Sequence, residues 1–128
     1  MRFVMLSEED YKKAACLNIF GDENRRNLLE EYQSMRLPEP QKDHSYLIRL
    51  PYAQHFEQGE TMLIPLGFRI EFDQSYHHFY QTLSLVDSLR VKVIAPYSLY
   101  KQMAILKITA DKNICCEARQ AVAVIVPD

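Results

Sequence analysis

Two adjacent histidines stand near two carboxylates in the middle of the chain, a set of side chains that could bind a metal ion. His77 and His78 follow Glu71 and Asp73. Imidazole and carboxylate groups are common zinc ligands, but neighbouring side chains on a strand point to opposite faces, and no further ligand stands at a spacing typical of metal sites. We therefore predict no metal site here.

The vicinal pair Cys115 and Cys116 is a second candidate for chemistry. Thiolates bind zinc or respond to oxidation, but zinc sites usually separate their cysteines by two to four residues. The third cysteine, Cys16, lies far away in the chain. This odd count favours a reducing, intracellular environment over a disulfide framework. We expect one thiol of the pair to face the core and the other a neighbouring residue.

Length and composition limit the classes of function. The 128 residues correspond to one domain, and hydrophobic residues make up 48% of them. The net charge of −2 and the pI near 6.1 argue against a nucleic-acid partner. No apolar run approaches the ~20 residues that cross a bilayer, so we predict no membrane span. No internal repeat is visible.

Two amphipathic helices are predicted after a first strand at 2–6. Ser7 can cap a helix over 8–20 that Gly21 ends, and the spacing of apolar residues predicts a second helix over 23–36.

Beyond Pro40 the pattern changes to short strands separated by turns. We predict strands at 45–50, 61–64, 68–72, 90–94, 104–108 and 122–126, with Pro65 and Gly67 separating the second from the third. Residues 76–89 fit a helix or a strand, and 96–100 read as a turn. Such strand spacing is typical of a β-barrel or sandwich.

The order of these strands and turns resembles that of the trimeric dUTPases. The resemblance is carried by the strand at 2–6, by Gln58-Gly59-Glu60 with the strands at 63–70, by 91–94 and 104–108 around Tyr100-Lys101, and by 114–126. It implies a mainly β fold, a dUTPase-like β-barrel or sandwich with an N-terminal α-helical hairpin insert. The single domain 1–128 would then comprise an insert at about 8–36 and a barrel at about 2–6 plus 44–126.

The residues that perform dUTPase chemistry are largely missing. Leu47 stands where the family has its magnesium-binding aspartate, and no carboxylate precedes Tyr100 and Lys101 in the third motif. Triphosphate hydrolysis needs a base or orienting carboxylate and charge on the phosphates. The resemblance thus implies no catalytic residue and no cofactor, with Ser84, Tyr100, Lys101 and Arg119 as a vestigial nucleotide pocket.

The helical insert is longer than the corresponding dUTPase connection. It either caps the barrel or provides a docking surface for a partner, with Leu28, Leu29, Tyr32 and Met35 as the contact residues.

Two functions remain open. The first is a non-enzymatic protein-interaction or regulatory protein, such as the dUTPase-derived proteins of viruses, with a protein partner and assembly as a homotrimer or homodimer. The second is a nucleotide-binding sensor or a residual pyrophosphatase acting on dUTP or dCTP. A third reading, a small β-barrel with convergent strand order, has no nucleotide history.

Overall fold

In the part of the chain that the structure describes, the protein is mainly β, with two α-helices near the N-terminus. The structure, a computed structural model, describes residues 1–15, 28–72, 80–96 and 98–127. The helices are α1 (Glu8–Ala15) and α2 (Leu28–Ser34). The strands are β1 (Arg2–Met5), β2 (Glu39–Pro40), β3 (Tyr46–Arg49), β4 (Gln54–Phe56), β5 (Thr61–Glu71), β6 (Tyr80–Ser84), β7 (Leu89–Ile94), β8 (Met103–Ala110), β9 (Ile114–Cys116) and β10 (Ala121–Pro127).

The strands form two four-stranded antiparallel sheets that share one core. The order is β1-β5-β8-β7 in the first sheet and β2-β3-β10-β6 in the second, and β4 pairs with β9 separately. The core takes alternate side chains from both sheets because successive residues of a strand face opposite sides. Its fully buried members include Ile48, Ile64, Leu106, Ile108 and Ile125.

The predicted break between the strands at 61–64 and 68–72 is wrong, because β5 runs through both. Its pairing with β8 shifts between Pro65 and Arg69, which is a bulge in an otherwise continuous strand. A bulge accommodates a residue without an N–H and one with positive φ. Gly67 has φ +78°, and its carbonyl accepts a hydrogen bond from the Leu6 amide at 2.9 Å.

The other predicted strands are present with shifts of one or two residues at their ends. The ambiguous stretch 76–89 contains β6, although 73–79 lie outside the described residues. Three short strands, β2, β4 and β9, were not predicted. Strands of two or three residues carry too little alternation to be recognised from sequence.

Side chains close one side of the structure, where β6 meets β7. Ser84 Oγ accepts from the Val91 amide at 2.8 Å, and Thr82 Oγ1 accepts from the Val93 amide at 3.1 Å. The Tyr80 hydroxyl donates to the Val93 carbonyl at 2.9 Å. Alternate residues of β6 thus point at β7 and satisfy its edge. We call this junction the β6–β7 seam.

A structural repeat occurs in the turns from β4 to β5 and from β9 to β10. Residues 57–60 and 117–120 each place a left-handed residue third, Gly59 at φ +81° and Arg119 at φ +69°. In both turns the first residue donates its amide to the side chain of the fourth, Glu60 or Gln120. Only a glutamate at the first position is shared by the two sequences, so the repeat is not visible without the structure.

The two helices cover the outer face of the first sheet. Tyr11, Ala14 and Met35 are buried in a second cluster with Met103 and Ile105 of β8. The Ser7 hydroxyl accepts from the Asp10 amide at 3.1 Å and caps α1, as the sequence predicts. The predicted connection between the helices falls in 16–27, outside the described residues.

Candidate functional site

A cavity of about 600 Å³ opens between the two sheets beside the end of α2. It is covered by residues 35–39, which link α2 to β2 and which we call the strap. The other walls come from β3, from the bulged part of β5 and from the second repeated turn. The cavity is lined by Met35, Arg36, Leu37, Pro38, Glu39, Leu47, Ile48, Arg49, Pro51, Leu66, Phe68 and Arg119.

The floor of the cavity is apolar and fixed by the core. Ile48, Leu66 and Phe68 are buried members of the main cluster, and Met35 is a buried member of the cluster under the helices. Side chains held by a packed core move little, so this floor is preformed. A preformed apolar floor is typical of a binding site.

The mouth of the cavity carries charge. Arg49 donates from Nε to Glu39 Oε1 at 2.8 Å and from Nη1 to the Arg119 carbonyl at 2.9 Å. Arg36 donates from Nη1 to the carbonyls of Gln33 and Met35, at 2.7 Å each. Leu37 stands beside these groups and is 43% exposed. An apolar floor with a cationic rim can hold a ligand that combines apolar and anionic groups.

The four residues of the predicted nucleotide pocket occupy three places. Tyr100 and Lys101 are neighbours in a short 3₁₀ turn before β8, whereas Ser84 lies in the β6–β7 seam. Arg119 lines the cavity under the strap, and Ser84 lines a separate one of about 380 Å³ with Lys92 and Lys107. Of these four predicted residues, only Tyr100 and Lys101 lie next to each other in the structure.

Tyr100 is exposed and sits among polar groups of α1. Its hydroxyl donates to Asp10 Oδ1 at 3.2 Å, and the Nζ atoms of Lys13 and Lys101 each lie 5.8 Å from its ring centroid. A hydrogen bond to Glu9, followed by the charge of Tyr100, raises the pKa of Lys13 above its ordinary value. This corner therefore holds two ammonium groups next to an aromatic ring.

The four predicted partner-surface residues differ in exposure. Met35 is buried, and Tyr32 is half-buried with its hydroxyl donating to the Leu6 carbonyl at 2.6 Å. Leu28 is half-buried against the cluster under the helices, and Leu29 is 38% exposed. The exposed leucine nearest the cavity is Leu37, which the helical spacing did not single out because it follows the end of α2.

The cysteine pair divides between core and surface, as the sequence predicts. Cys116 is buried, and burial, followed by the neighbouring Cys115, raises the pKa of its thiol. Cys115 is exposed, and its Sγ lies 3.2 Å from Nδ1 of His55 across the β4–β9 pair. His77 and His78 lie outside the described residues, and no group of three or more metal-ligating side chains occurs in the part of the chain that is described.

Comparison with known proteins found no significant match for the chain. No family model matches it, and neither the curated proteins nor the solved structures contain a significant match. Among the described helices, none has the length and apolar character needed to cross a membrane.

Proposed function

We propose that the chain is a non-enzymatic protein-interaction or regulatory protein on a dUTPase-like scaffold, and that it binds a protein partner at the cavity under the strap. The observation that supports this proposal is the cavity itself. Its volume of about 600 Å³ lies within the range of about 300–1,000 Å³ found for ligand sites. Leu37 lines the cavity and is 43% exposed, so part of the apolar surface there is open to solvent, which favours a ligand larger than the cavity.

The scaffold part of the proposal rests on the strand order and on the sequence motifs. The part of this expectation that the fold supports is the coarse one, a mainly β architecture with antiparallel sheets around one core. The non-enzymatic part rests on Tyr100 and Lys101. No carboxylate precedes these two residues in the third motif, and the nearby Asp10 of α1 accepts a hydrogen bond from the Tyr100 hydroxyl at 3.2 Å.

A second candidate function, a nucleotide sensor, is favoured by the two lysines around Tyr100. Calorimetric titration with dUTP and Mg²⁺, with pyrophosphate assayed in the same cell, separates the two. We expect neither heat nor pyrophosphate. Heat without product that disappears in Tyr100→Ala would establish the sensor, and pyrophosphate would establish an enzyme.

Site-directed photo-crosslinking tests binding at the cavity. A photoreactive phenylalanine analogue at position 37 is compared with the same analogue at position 107, an exposed site on β8. We expect a discrete protein adduct from position 37 alone. Excess unlabelled wild-type chain should suppress it, whereas an excess of Leu37→Asp should not.

Gln58→Asp is the control competitor, because it adds the same single negative charge as Leu37→Asp but on an exposed turn. It should compete as well as the wild type. Absence of an adduct at position 37, or equal adducts at both positions, would contradict the proposed binding site.

A further inference from the structure

We propose that the partner segment bound under the strap is acidic: one apolar side chain enters the cavity, and adjacent carboxylates meet the arginines at its mouth. This inference rests on the proposed function and specifies the chemistry of the partner. The partner is recognised by paired apolar and anionic groups.

The charge at the mouth is opposite to that of the whole chain. Arg36, Arg49 and Arg119 line the cavity against a single acidic residue, Glu39, which leaves an excess of two positive charges. The full sequence carries a net charge of −2. The positive charge at the mouth is therefore a local feature and does not follow from the net charge of the chain. An acidic segment is the ligand with complementary charge.

The arginines retain hydrogen-bond donors for such a ligand. A guanidinium has five N–H donors, and Arg36 uses only Nη1 in its bonds to two carbonyls. The side chain of Arg119 makes no hydrogen bond or ion pair with any residue that the structure describes. Guanidinium groups with free donors bind carboxylates in a bidentate manner, which gives geometric specificity.

The backbone at Arg119 supports a role for its side chain. Position 119 is equivalent to Gly59 in the repeated turn, and both residues have positive φ. Glycine adopts this conformation without steric cost, whereas arginine adopts it only at a steric cost. The turn next to the cavity thus carries the conformationally unfavourable residue, an arginine that lines the cavity, while the turn away from the cavity carries the favourable glycine.

Side chains, and not an added strand, are the means of recognition. The sheet edge beside the cavity is β2, which consists of Glu39 and Pro40. Proline has no amide hydrogen, and a two-residue edge offers little backbone to pair with. An incoming segment therefore gains its binding free energy from the apolar cavity and the guanidinium groups.

Binding of defined peptides tests the inference by fluorescence anisotropy. The probe is a short fluorescein-labelled peptide with alternating Glu and Leu or Phe residues. One comparison peptide replaces each Glu with Gln, and another replaces each Leu or Phe with Ser. We expect the first to bind and each comparison peptide to bind at least about tenfold more weakly, because charged hydrogen bonds and apolar burial each contribute that much.

Arginine variants identify the site of peptide binding. Arg36→Gln and Arg119→Gln should each weaken binding of the acidic peptide by about tenfold. Arg90→Gln is the matched control, since Arg90 is an exposed arginine of β7 that pairs with Asp111 and does not line this cavity. It should leave the affinity unchanged.

Four outcomes would overturn the inference. The Gln peptide could bind as well as the acidic one, or Arg36→Gln and Arg119→Gln could have no effect. Decanoate could bind while the acidic peptide does not, which would identify a small carboxylate ligand. A crosslinked adduct at position 37 that persists when Arg36→Gln and Arg119→Gln are combined in one protein would overturn the acidic partner but keep the cavity as a protein-binding site. Absence of any adduct at position 37 in a protein that retains both arginines contradicts the proposed function itself.

Discussion

Met35 packs directly on the backbone of Gly67. A Cβ atom at position 67 would lie 2.8 Å from Cγ and 3.0 Å from Cβ of Met35, closer than carbon atoms approach one another. The end of α2 is thereby joined to the bulge of β5, and Met35 becomes part of the cavity floor. Any side chain at position 67 would displace the strap.

Gly67→Ala should be strongly destabilising. The new Cβ overpacks against Met35, and the residue must keep φ +78°, so we expect a loss of about 2–4 kcal/mol in the free energy of unfolding. Gly59→Ala is the matched control, because Gly59 has φ +81° with nothing within 4 Å of the added atom. It should lose only about 1–2 kcal/mol. Urea denaturation measures both, and equal losses would exclude the close contact.

Ser84→Ala should weaken the β6–β7 seam. It leaves the amide of the buried Val91 without its acceptor, which costs about 1–2 kcal/mol. Thr109→Ala, which removes an exposed hydroxyl pair with Thr61, should cost less than about 0.5 kcal/mol. If Ser84 instead served a nucleotide pocket, Ser84→Ala would leave unfolding unchanged and alter nucleotide binding.

Stability should fall in acid partly through Asp43. The side-chain and backbone hydrogen bonds from Ser45 lower the pKa of Asp43 below its ordinary 3.8. Since the folded-state pKa lies below the unfolded one, the stabilisation is complete above about pH 4 and disappears as the pH falls through the lowered value. Thermal unfolding from pH 7 to pH 2 should show a shallower acid decline in Asp43→Asn and in Ser45→Ala. Curves parallel to the wild type would refute this.

Alkylation should distinguish the two adjacent cysteines. Iodoacetamide reacts with the thiolate, and burial raises the pKa of Cys116 while Cys115 is exposed. We expect tandem mass spectrometry to find modified Cys115 and unmodified Cys116 in the native protein, and both modified in urea. Equal modification of both in the native state would mean that β9 does not hold Cys116 in the core.

Arg119→Gly should raise the stability of the fold and lower its affinity for the acidic peptide. Glycine relieves the left-handed strain and should raise the free energy of unfolding by up to about 1 kcal/mol, while the loss of the guanidinium weakens acidic-peptide binding. Lys101→Gly is the matched control, because Lys101 also has positive φ, at +58°, and does not line the cavity. It should stabilise the fold and leave peptide affinity unchanged. An Arg119→Gly protein with full affinity would remove Arg119 from the site.

The sequence predicts the longer strands and the first helix cap because these depend on local pattern. Alternation identifies β7, a continuous apolar run identifies β10, and Ser7 identifies the start of α1. The continuity of β5 is hidden, because Pro65 and Gly67 are read as breaks until the pairing with β8 is known.

The cavity could not be predicted because its walls come from distant parts of the chain. Met35 and Phe68 are apolar residues of separate elements, and Arg119 reads as an ordinary turn residue. The single available signal was an arginine where the equivalent turn has Gly59, and that equivalence requires the fold. Exposure of Leu37 likewise depends on where α2 ends.

The β6–β7 seam also determines where this protein can open first. Elsewhere in the sheets, neighbouring strands share backbone ladders whose hydrogen bonds break cooperatively. Across the seam, three independent side chains, Tyr80, Thr82 and Ser84, hold the edge of β7. Each can rotate away singly, so the amides of Val91 and Val93 should exchange with solvent deuterium by local fluctuations, well before the amides between β5 and β8 are released by global unfolding.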